Sequence, residues 1–177
     1  MPPRPGLRLP TFVDENKARG LLMAAATCPA ASVMTNRKAL TSMLLAGQRR
    51  IHFQKESPAR QRKSLAAISE LDFEVKMYAA LRADVESRHR CLSAIVQDAA
   101  PATERLVVER DESTLDFDRQ VLYRAVRSYG CVDSLQYELL APHLDALLWV
   151  PDAVVWAWAK GGEWREQVRE YCEIQVV

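Results

Sequence analysis

The sequence predicts a three-layer α/β domain in which a mixed β-sheet is flanked by helices. Strand patterns alternate with helical patterns along most of the 177 residues, and this alternation is typical of a sheet covered on both faces. An N-terminal β-hairpin precedes it and adds an antiparallel pair, so the sheet should be mixed. The length fits one substantial core. We therefore expect a flexible Pro-rich tail over residues 1–10 and a single domain over residues 11–177.

The hairpin is predicted from two apolar runs separated by a polar turn. Leu9–Asp14 has the composition of a strand, and the turn that follows it ends at Gly20. The second run, Leu21–Cys28, comes at once, so a hairpin is the simplest connection. Its alanines have weak strand propensity, and a helix is the alternative for this run.

The remaining elements are predicted from hydrophobic periodicity and from helix capping residues. Ser57 followed by Pro58 is an N-cap with proline at the first helical position, and Asp84 is a second N-cap. The segment 49–55 alternates as a strand, with Ile51 and Phe53 on the face opposite His52 and Gln54. The predicted helices cover residues 31–45, 58–71, 84–99, 115–129 and 147–158, and the predicted strands after the hairpin cover residues 49–55, 73–81, 106–108 and 135–139.

Composition excludes several classes of protein. Lys and Arg number 24 against 23 Asp and Glu, so the chain is not a uniformly basic nucleic-acid binder, although residues 49–63 form a basic run. The four cysteines are widely spaced, which favours reduced core thiols over a zinc site. We find no secretory signal or membrane span and expect a cytoplasmic protein. Phosphate-binding loop, Ser-His-Asp and H-E-x-x-H motifs are also missing from the sequence.

Three separate elements each deliver a carboxylate beside an apolar segment. Asp14 ends the first strand, Glu109 or Asp111 follows the strand at 106–108, and Asp152 begins the last long helix. Each acid alone is more often a turn residue or a helix cap. Together they would be costly to desolvate unless they bound a cation. Mg²⁺ or Mn²⁺ fits oxygen ligands, and two such ions about 4 Å apart could activate water for phosphodiester cleavage.

The order of these elements resembles the RNase-H-like superfamily and, more narrowly, a widespread bacterial family of unknown function. Members of that family open with a hydrophobic-Asp-Glu-Ser/Gly motif and close with an Ala-Asp or Pro-Asp helix. The resemblance implies an RNase-H-like fold and a divalent-metal nuclease site with Asp14, Glu109 or Asp111, and Asp152 as ligands. The segments that carry it are Phe12-Val13-Asp14-Glu15-Asn16, His52-Phe53-Gln54-Lys55-Glu56, Leu106-Val107-Val108-Glu109-Arg110-Asp111 and Leu148-Trp149-Val150-Pro151-Asp152-Ala153-Val154.

The first functional hypothesis is a nuclease that hydrolyses nucleic-acid phosphodiester bonds with Mg²⁺ or Mn²⁺. Its catalytic residues would be Asp14, Glu109 and Asp152, with Asp111 and Glu15 as second-choice metal ligands. Substrate contacts are expected from two further side chains, those of Lys55 and His143.

The second hypothesis is a non-catalytic binding or assembly protein on the same scaffold. It would contact a protein partner or form a homodimer through its Trp-rich C-terminal segment, because tryptophan is enriched at interface hot spots. The seven-residue spacing of Trp149 and Trp156 favours core packing of that pair.

Overall fold

A computed structural model describes residues 9–177, which form a six-stranded mixed sheet with helices on both faces. The fold class predicted from the sequence is therefore confirmed. The strands are β1 Leu9–Asn16, β2 Leu21–Thr27, β3 Glu74–Ala80, β4 Thr103–Glu109, β5 Gln136–Leu140 and β6 Cys172–Val176, in the spatial order β5-β4-β1-β2-β3-β6.

The N-terminal hairpin is also confirmed, because β1 and β2 pair antiparallel with Asp14 opposite Ala24. β2 also pairs antiparallel with β3, while β1 with β4, β4 with β5 and β3 with β6 are parallel pairs. The hairpin turn needs glycine at Gly20, where φ is +88° and a Cβ would lie 2.5 Å from the Ala80 carbonyl oxygen.

Two of the helices begin at the capping residues predicted from the sequence. The Ser57 hydroxyl accepts a hydrogen bond from the Arg60 amide at 3.3 Å, and the Asp84 carboxylate accepts one from the Ser87 amide at 2.8 Å. Within residues 9–177 no helix is both long and apolar enough to cross a membrane. The helices are α1 Val33–Thr41, α2 Pro58–Ser69, α3 Val85–Ala99, α4 Leu115–Ser128, α5 Trp149–Lys160 and α6 Gly162–Arg169.

Side-chain alternation along β1 divides the interior into two cores, one on each face of the sheet. Phe12 belongs to the core that β1 shares with α1, α2, α5 and α6. Val13 belongs to the core formed with α3 and α4. We call these the α5 face and the α3/α4 face. Consecutive residues of β1 therefore enter different environments, which decides where Asp14 and Glu15 point.

Two predictions about elements are wrong and one strand was missed. Residues 49–55 are not a strand, and only Phe53–Lys55 are regular, as a 3₁₀ turn. The first helix ends at Thr41 instead of residue 45. β6 was not predicted, although Cys172–Val176 alternates apolar and polar residues as a strand does. The predicted tail over residues 1–10 lies outside the described residues except for Leu9 and Pro10, which belong to β1.

Candidate functional site

An acidic cleft of roughly 460 Å³ opens where β1 and β4 end and α5 begins. Three of its acids come from these three elements: Asp14 from β1, Glu109 from β4 and Asp152 from α5. These residues are far apart in the sequence and were predicted to converge. The other lining residues are Glu15, Asn16, Lys17, Arg50, His52, Gln54, Arg110, Asp111, Glu112 and Trp156.

The register of the parallel pair brings the first two acids together. Val13 of β1 lies beside Val108 of β4, so the next residues along the two strands, Asp14 and Glu109, are neighbours. Both lie on the α5 face, two residues after Phe12 and Val107, which are buried in that core. α5 packs against β1 on this face and carries Asp152 in its first turn. The three carboxylates therefore lie on one side of the sheet.

Burial and mutual repulsion disfavour ionisation of the three acids. Asp14 is 7% exposed. Burial, followed by the negative charges of Glu109 and Asp152, holds the pKa of Asp14 well above its usual value. Burial also raises the pKa of Glu109 and of Asp152. The cleft thus gathers more negative charge than its own surroundings can neutralise.

Hydrogen bonds between the carboxyl groups show how the protein accommodates this charge. The Asp14 carboxyl bonds to Glu109 and to Asp152, and these bonds lower the pKa of both partners. The contact with Glu109 also raises the pKa of Asp14. Among the described residues, Glu109 Oε2 is buried without a hydrogen-bond partner. The three carboxyl groups therefore compensate one another only in part, and a cation could take a position between their oxygens.

Glu15 points to the α3/α4 face and is neutralised there. It accepts a hydrogen bond from Arg88, which also binds Asp118 through two N–H groups at 2.6 and 2.7 Å. Lys17 Nζ adds an ion pair with Glu15 Oε1 at 3.3 Å. The negative charge of Glu15 is therefore compensated by Arg88 and Lys17.

Asp111 lines the cleft but lies beyond the end of β4. Its carboxylate accepts hydrogen bonds from the Ser113 hydroxyl at 2.6 Å and the Ser113 amide at 2.9 Å, and Lys17 Nζ lies 3.6 Å away. The bond from the Ser113 hydroxyl is the main cause that lowers the pKa of Asp111. Since Glu109 contacts Asp14 and Asp111 is held by Ser113, the geometry favours Glu109 as the middle acid.

Segment 50–54 lies beside Asp152 and contributes three lining residues that were not among the predicted site residues. The Phe53 amide donates to Asp152 Oδ2 at 3.2 Å, and the Phe53 ring lies 5.0 Å from the Trp156 ring. Arg50, His52 and Gln54 line the cleft. The sequence shows the alternation of apolar and polar residues in this segment, but it does not show that the segment lies beside Asp14, Glu109 and Asp152.

The two residues predicted to contact substrate do not line the cleft. Lys55 ends the 3₁₀ turn and is exposed, because the strand that would have directed it is not formed. His143 is exposed in the loop before α5.

The four tryptophans differ in burial. Trp149 is 3% exposed and donates from Nε1 to the Pro142 carbonyl at 2.8 Å, and Trp164 is 9% exposed. Trp156 is partly buried and lines the cleft, so it does not share the fully buried position of Trp149. Trp158 is also partly buried. The segment therefore offers partly buried Trp158 and Trp156 at its surface and keeps the other two in the core.

The donor set was tested for its fit to a divalent cation. Within residues 9–177 no three His, Cys, Asp or Glu side chains are already arranged around a metal position. The chemistry of Asp14, Glu109 and Asp152 nevertheless suits Mg²⁺ or Mn²⁺, since all donors are carboxylate oxygens. The unpartnered Glu109 Oε2 and the raised pKa of Asp14 also fit a site that binds a cation. These residues fit the ion.

Two solved structures share the fold at low sequence identity. RNase HII of Archaeoglobus fulgidus, solved in complex with PCNA, superposes with a TM-score of 0.59 at 13% identity over 92% of this chain and 77% of that one. Ribonuclease H2 of Pyrococcus horikoshii OT3 gives a TM-score of 0.52 at 11% identity over 83% and 70%. No protein-family model and no curated protein matches the sequence. The chain therefore has an RNase-H-like fold, as its motifs indicated.

Proposed function

We propose that this protein is a divalent-metal-dependent nuclease that hydrolyses phosphodiester bonds of nucleic acid. The observation that carries the proposal is the group of Asp14, Glu109 and Asp152, which line one cleft and, among residues 9–177, accept no hydrogen bond from a cationic side chain. Buried like charges are costly, so a site of this kind is retained where it serves a function. The shared fold with RNase HII supports the proposal.

Asp14, Glu109 and Asp152 would hold Mg²⁺ or Mn²⁺. When bound, the ion would supply an activated water and would stabilise the negative charge that develops on the phosphate. The positive charge of the ion would favour the ionised form of Asp14, whose pKa is raised by burial. The ligands would then be three carboxylates.

The scaffold fixes two of these side chains before any ligand arrives. Asp14 Oδ1 accepts a hydrogen bond from the Glu15 amide at 2.7 Å, and Asp152 Oδ2 accepts one from the Phe53 amide. Trp156 lines the cleft beside Asp152, and its ring packs against Phe53 with 5.0 Å between the ring centroids. Preorganised ligands of this kind lower the cost of reaching the reactive geometry.

The test is cleavage of single- and double-stranded DNA and RNA in the presence of Mn²⁺. We expect Asp14→Asn to reduce the rate by about 10³-fold, since it removes one of three charged ligands. Asp116→Asn is the matched control, because this substitution removes the same charge from a residue on α4 that is 93% exposed. Equal rates for wild type and Asp14→Asn would remove the proposal.

A second candidate is a binding or assembly protein on the same scaffold. The observation that favours it is a groove of about 220 Å³ beside β6, lined in part by Trp158 and by exposed Leu81, Ile174 and Val176. It predicts a stable dimer or complex on size-exclusion chromatography and no Mn²⁺ binding by calorimetry. A monomer that binds Mn²⁺ and cleaves nucleic acid would exclude it.

A further inference from the structure

We propose that segment 50–54 is the phosphate-binding wall of the acidic cleft and that Arg50 contacts the phosphate backbone of the substrate there. The proposal rests on the proposed function, because it assigns how the nucleic acid is held beside the three acids. It concerns residues on the opposite side of the cleft from β1 and β4.

The wall is built on buried anchors. Ile51 is 2% exposed and Phe53 is 1% exposed, so alternate side chains of the segment enter the core. Gln61 of α2 donates from Nε2 to the Phe53 carbonyl at 3.0 Å, and the Phe53 amide binds Asp152. The side chains between these anchors, those of Arg50, His52 and Gln54, line the cleft. Their positions are therefore set by the core and by the acid that they face.

Two polar atoms on this wall are buried without a partner. Among residues 9–177, Arg50 Nε and His52 Nδ1 have no hydrogen-bond partner, and the same holds for Glu109 Oε2. The Arg50 N–H is always a donor, and His52 Nδ1 donates in one of its tautomers. Buried unpaired donors are unfavourable and are uncommon in folded proteins. A phosphate group in the cleft would offer acceptor oxygens to the side chains of Arg50 and His52, which both line it.

Charge gives a second reason for a phosphate at this place. The positive charge of Arg50 lowers the pKa of Glu109 and of Asp152, so the guanidinium lies within electrostatic range of both acids. A phosphodiester approaching three carboxylates alone would be repelled. A guanidinium on the opposite wall offsets that repulsion, and its planar N–H groups match phosphate oxygens.

Two other arginines of the basic run are paired within the protein. Arg60 donates from Nε to Glu56 at 2.7 Å and from Nη2 to the Met43 carbonyl at 3.2 Å. Arg62 pairs with Glu163 at 3.1 Å. Arg50 differs from both, since it lines the cleft and its Nε–H has no acceptor among the described residues.

The experiment measures binding of a short fluorescein-labelled DNA duplex by fluorescence anisotropy over a range of salt concentrations. It uses the full chain carrying Asp14→Asn, in EDTA, so that cleavage does not interfere. Adding Arg50→Gln should weaken binding by roughly 10-fold and reduce the slope of log K against log salt by about 0.9, the value for one lost phosphate contact. Arg49→Gln is the matched control, because it removes the same charge from an exposed neighbour that does not line the cleft.

Arg50→Lys separates the charge from the shape of the guanidinium. It should keep the salt slope of the parent and bind several-fold more weakly, because the ammonium lacks the planar fork. Thermal melting of each variant confirms that the fold is retained, and Arg50→Lys carries the test if Arg50→Gln does not fold. An Arg50→Lys variant that binds as tightly as the parent would overturn the assignment of a directed N–H contact.

The outcomes distinguish the two proposals. If wild type cleaves nucleic acid but Arg50→Gln and Arg49→Gln change binding equally, the phosphate-binding wall is wrong and the nuclease stands. If wild type neither cleaves nucleic acid nor binds the duplex, both proposals fall. Selective loss of affinity and salt slope in Arg50→Gln supports the wall.

Discussion

Asp14 and Glu15 are adjacent in the sequence and occupy opposite electrostatic environments. Asp14 enters the α5 face, where burial and two further carboxylates raise its pKa. Glu15 enters the α3/α4 face, where it meets Arg88 and Lys17. One peptide unit thus separates an acid without a cationic partner from an acid with two.

The difference separates acids that are paired within the fold from the acids that we propose bind a cation. On the α3/α4 face, Arg88 binds Asp118 and Glu15, and Thr114 donates to Asp118 at 3.0 Å, so charges and hydrogen-bonding groups are matched. On the α5 face, Asp14 meets other carboxyl groups. A matched buried network is part of the folded structure, whereas an unmatched one costs stability and needs an external cation.

The largest expected effect is on the matched side. Asp118→Asn should lower the free energy of unfolding by about 3–5 kcal/mol, because it leaves the buried Arg88 guanidinium with one acid fewer. Asp118 is 0% exposed. Urea denaturation measures the change. The control, Asp116→Asn on the same helix, should change stability little, since Asp116 is 93% exposed and its pair with Arg119 is at 3.7 Å. Equal losses in the two variants would contradict the assignment of Asp118 to the fold.

A smaller effect on the free energy of unfolding should have opposite signs for substitutions of Asp14 and of Glu15. In metal-free buffer at neutral pH, Asp14→Asn should raise the free energy of unfolding by about 1 kcal/mol, because it removes a source of repulsion. Glu15→Gln should lower it by roughly 1–3 kcal/mol, because it weakens a buried charged hydrogen bond. The same denaturation experiment compares them. Destabilisation of both to the same extent would show that Asp14 belongs to the structural network as well.

The smallest expected effect is the pH dependence of the stability difference between Asp14→Asn and wild type. Folding raises the pKa of Asp14, so above the ordinary value of 3.8 the native state binds more protons than the unfolded state. Stability contributed by this group is complete below that pH and is lost as pH rises towards the folded pKa. The advantage of Asp14→Asn over wild type should therefore grow as pH rises from about 4. A difference that is constant with pH would refute the raised pKa.

Local signals in the sequence account for most of the fold. The hairpin turn at Gly20, the Ser57 and Asp84 caps and the apolar periodicity of the helices each act within a few residues, so they could be recognised without the tertiary structure. β6 was missed although Cys172–Val176 alternates apolar and polar residues, because the segment is short and, beside β3 at the edge of the sheet, largely exposed. Segment 49–55 shows the converse, since its alternation is real but it has no strand beside it.

The candidate site was predictable in part for the same reason. Asp14 and Asp152 follow recognisable strand and helix patterns, and the structure brings both into the cleft. The choice between Glu109 and Asp111 depends on the register of β4 against β1, which the sequence does not encode locally. Arg50 belongs to the basic run that the sequence shows, but only the fold shows that it lies near acids from distant segments.

Isothermal titration of the protein with Mn²⁺ tests the central claim that Asp14, Glu109 and Asp152 form a cation site. We predict binding by wild type with release of protons, seen as a dependence of the heat on the ionisation enthalpy of the buffer, because the ion would displace the Asp14 proton. Asp14→Asn should bind much more weakly and without this release, whereas Glu15→Gln should still bind. Wild type that takes up no Mn²⁺, or Asp14→Asn that binds it equally well, would contradict the claim.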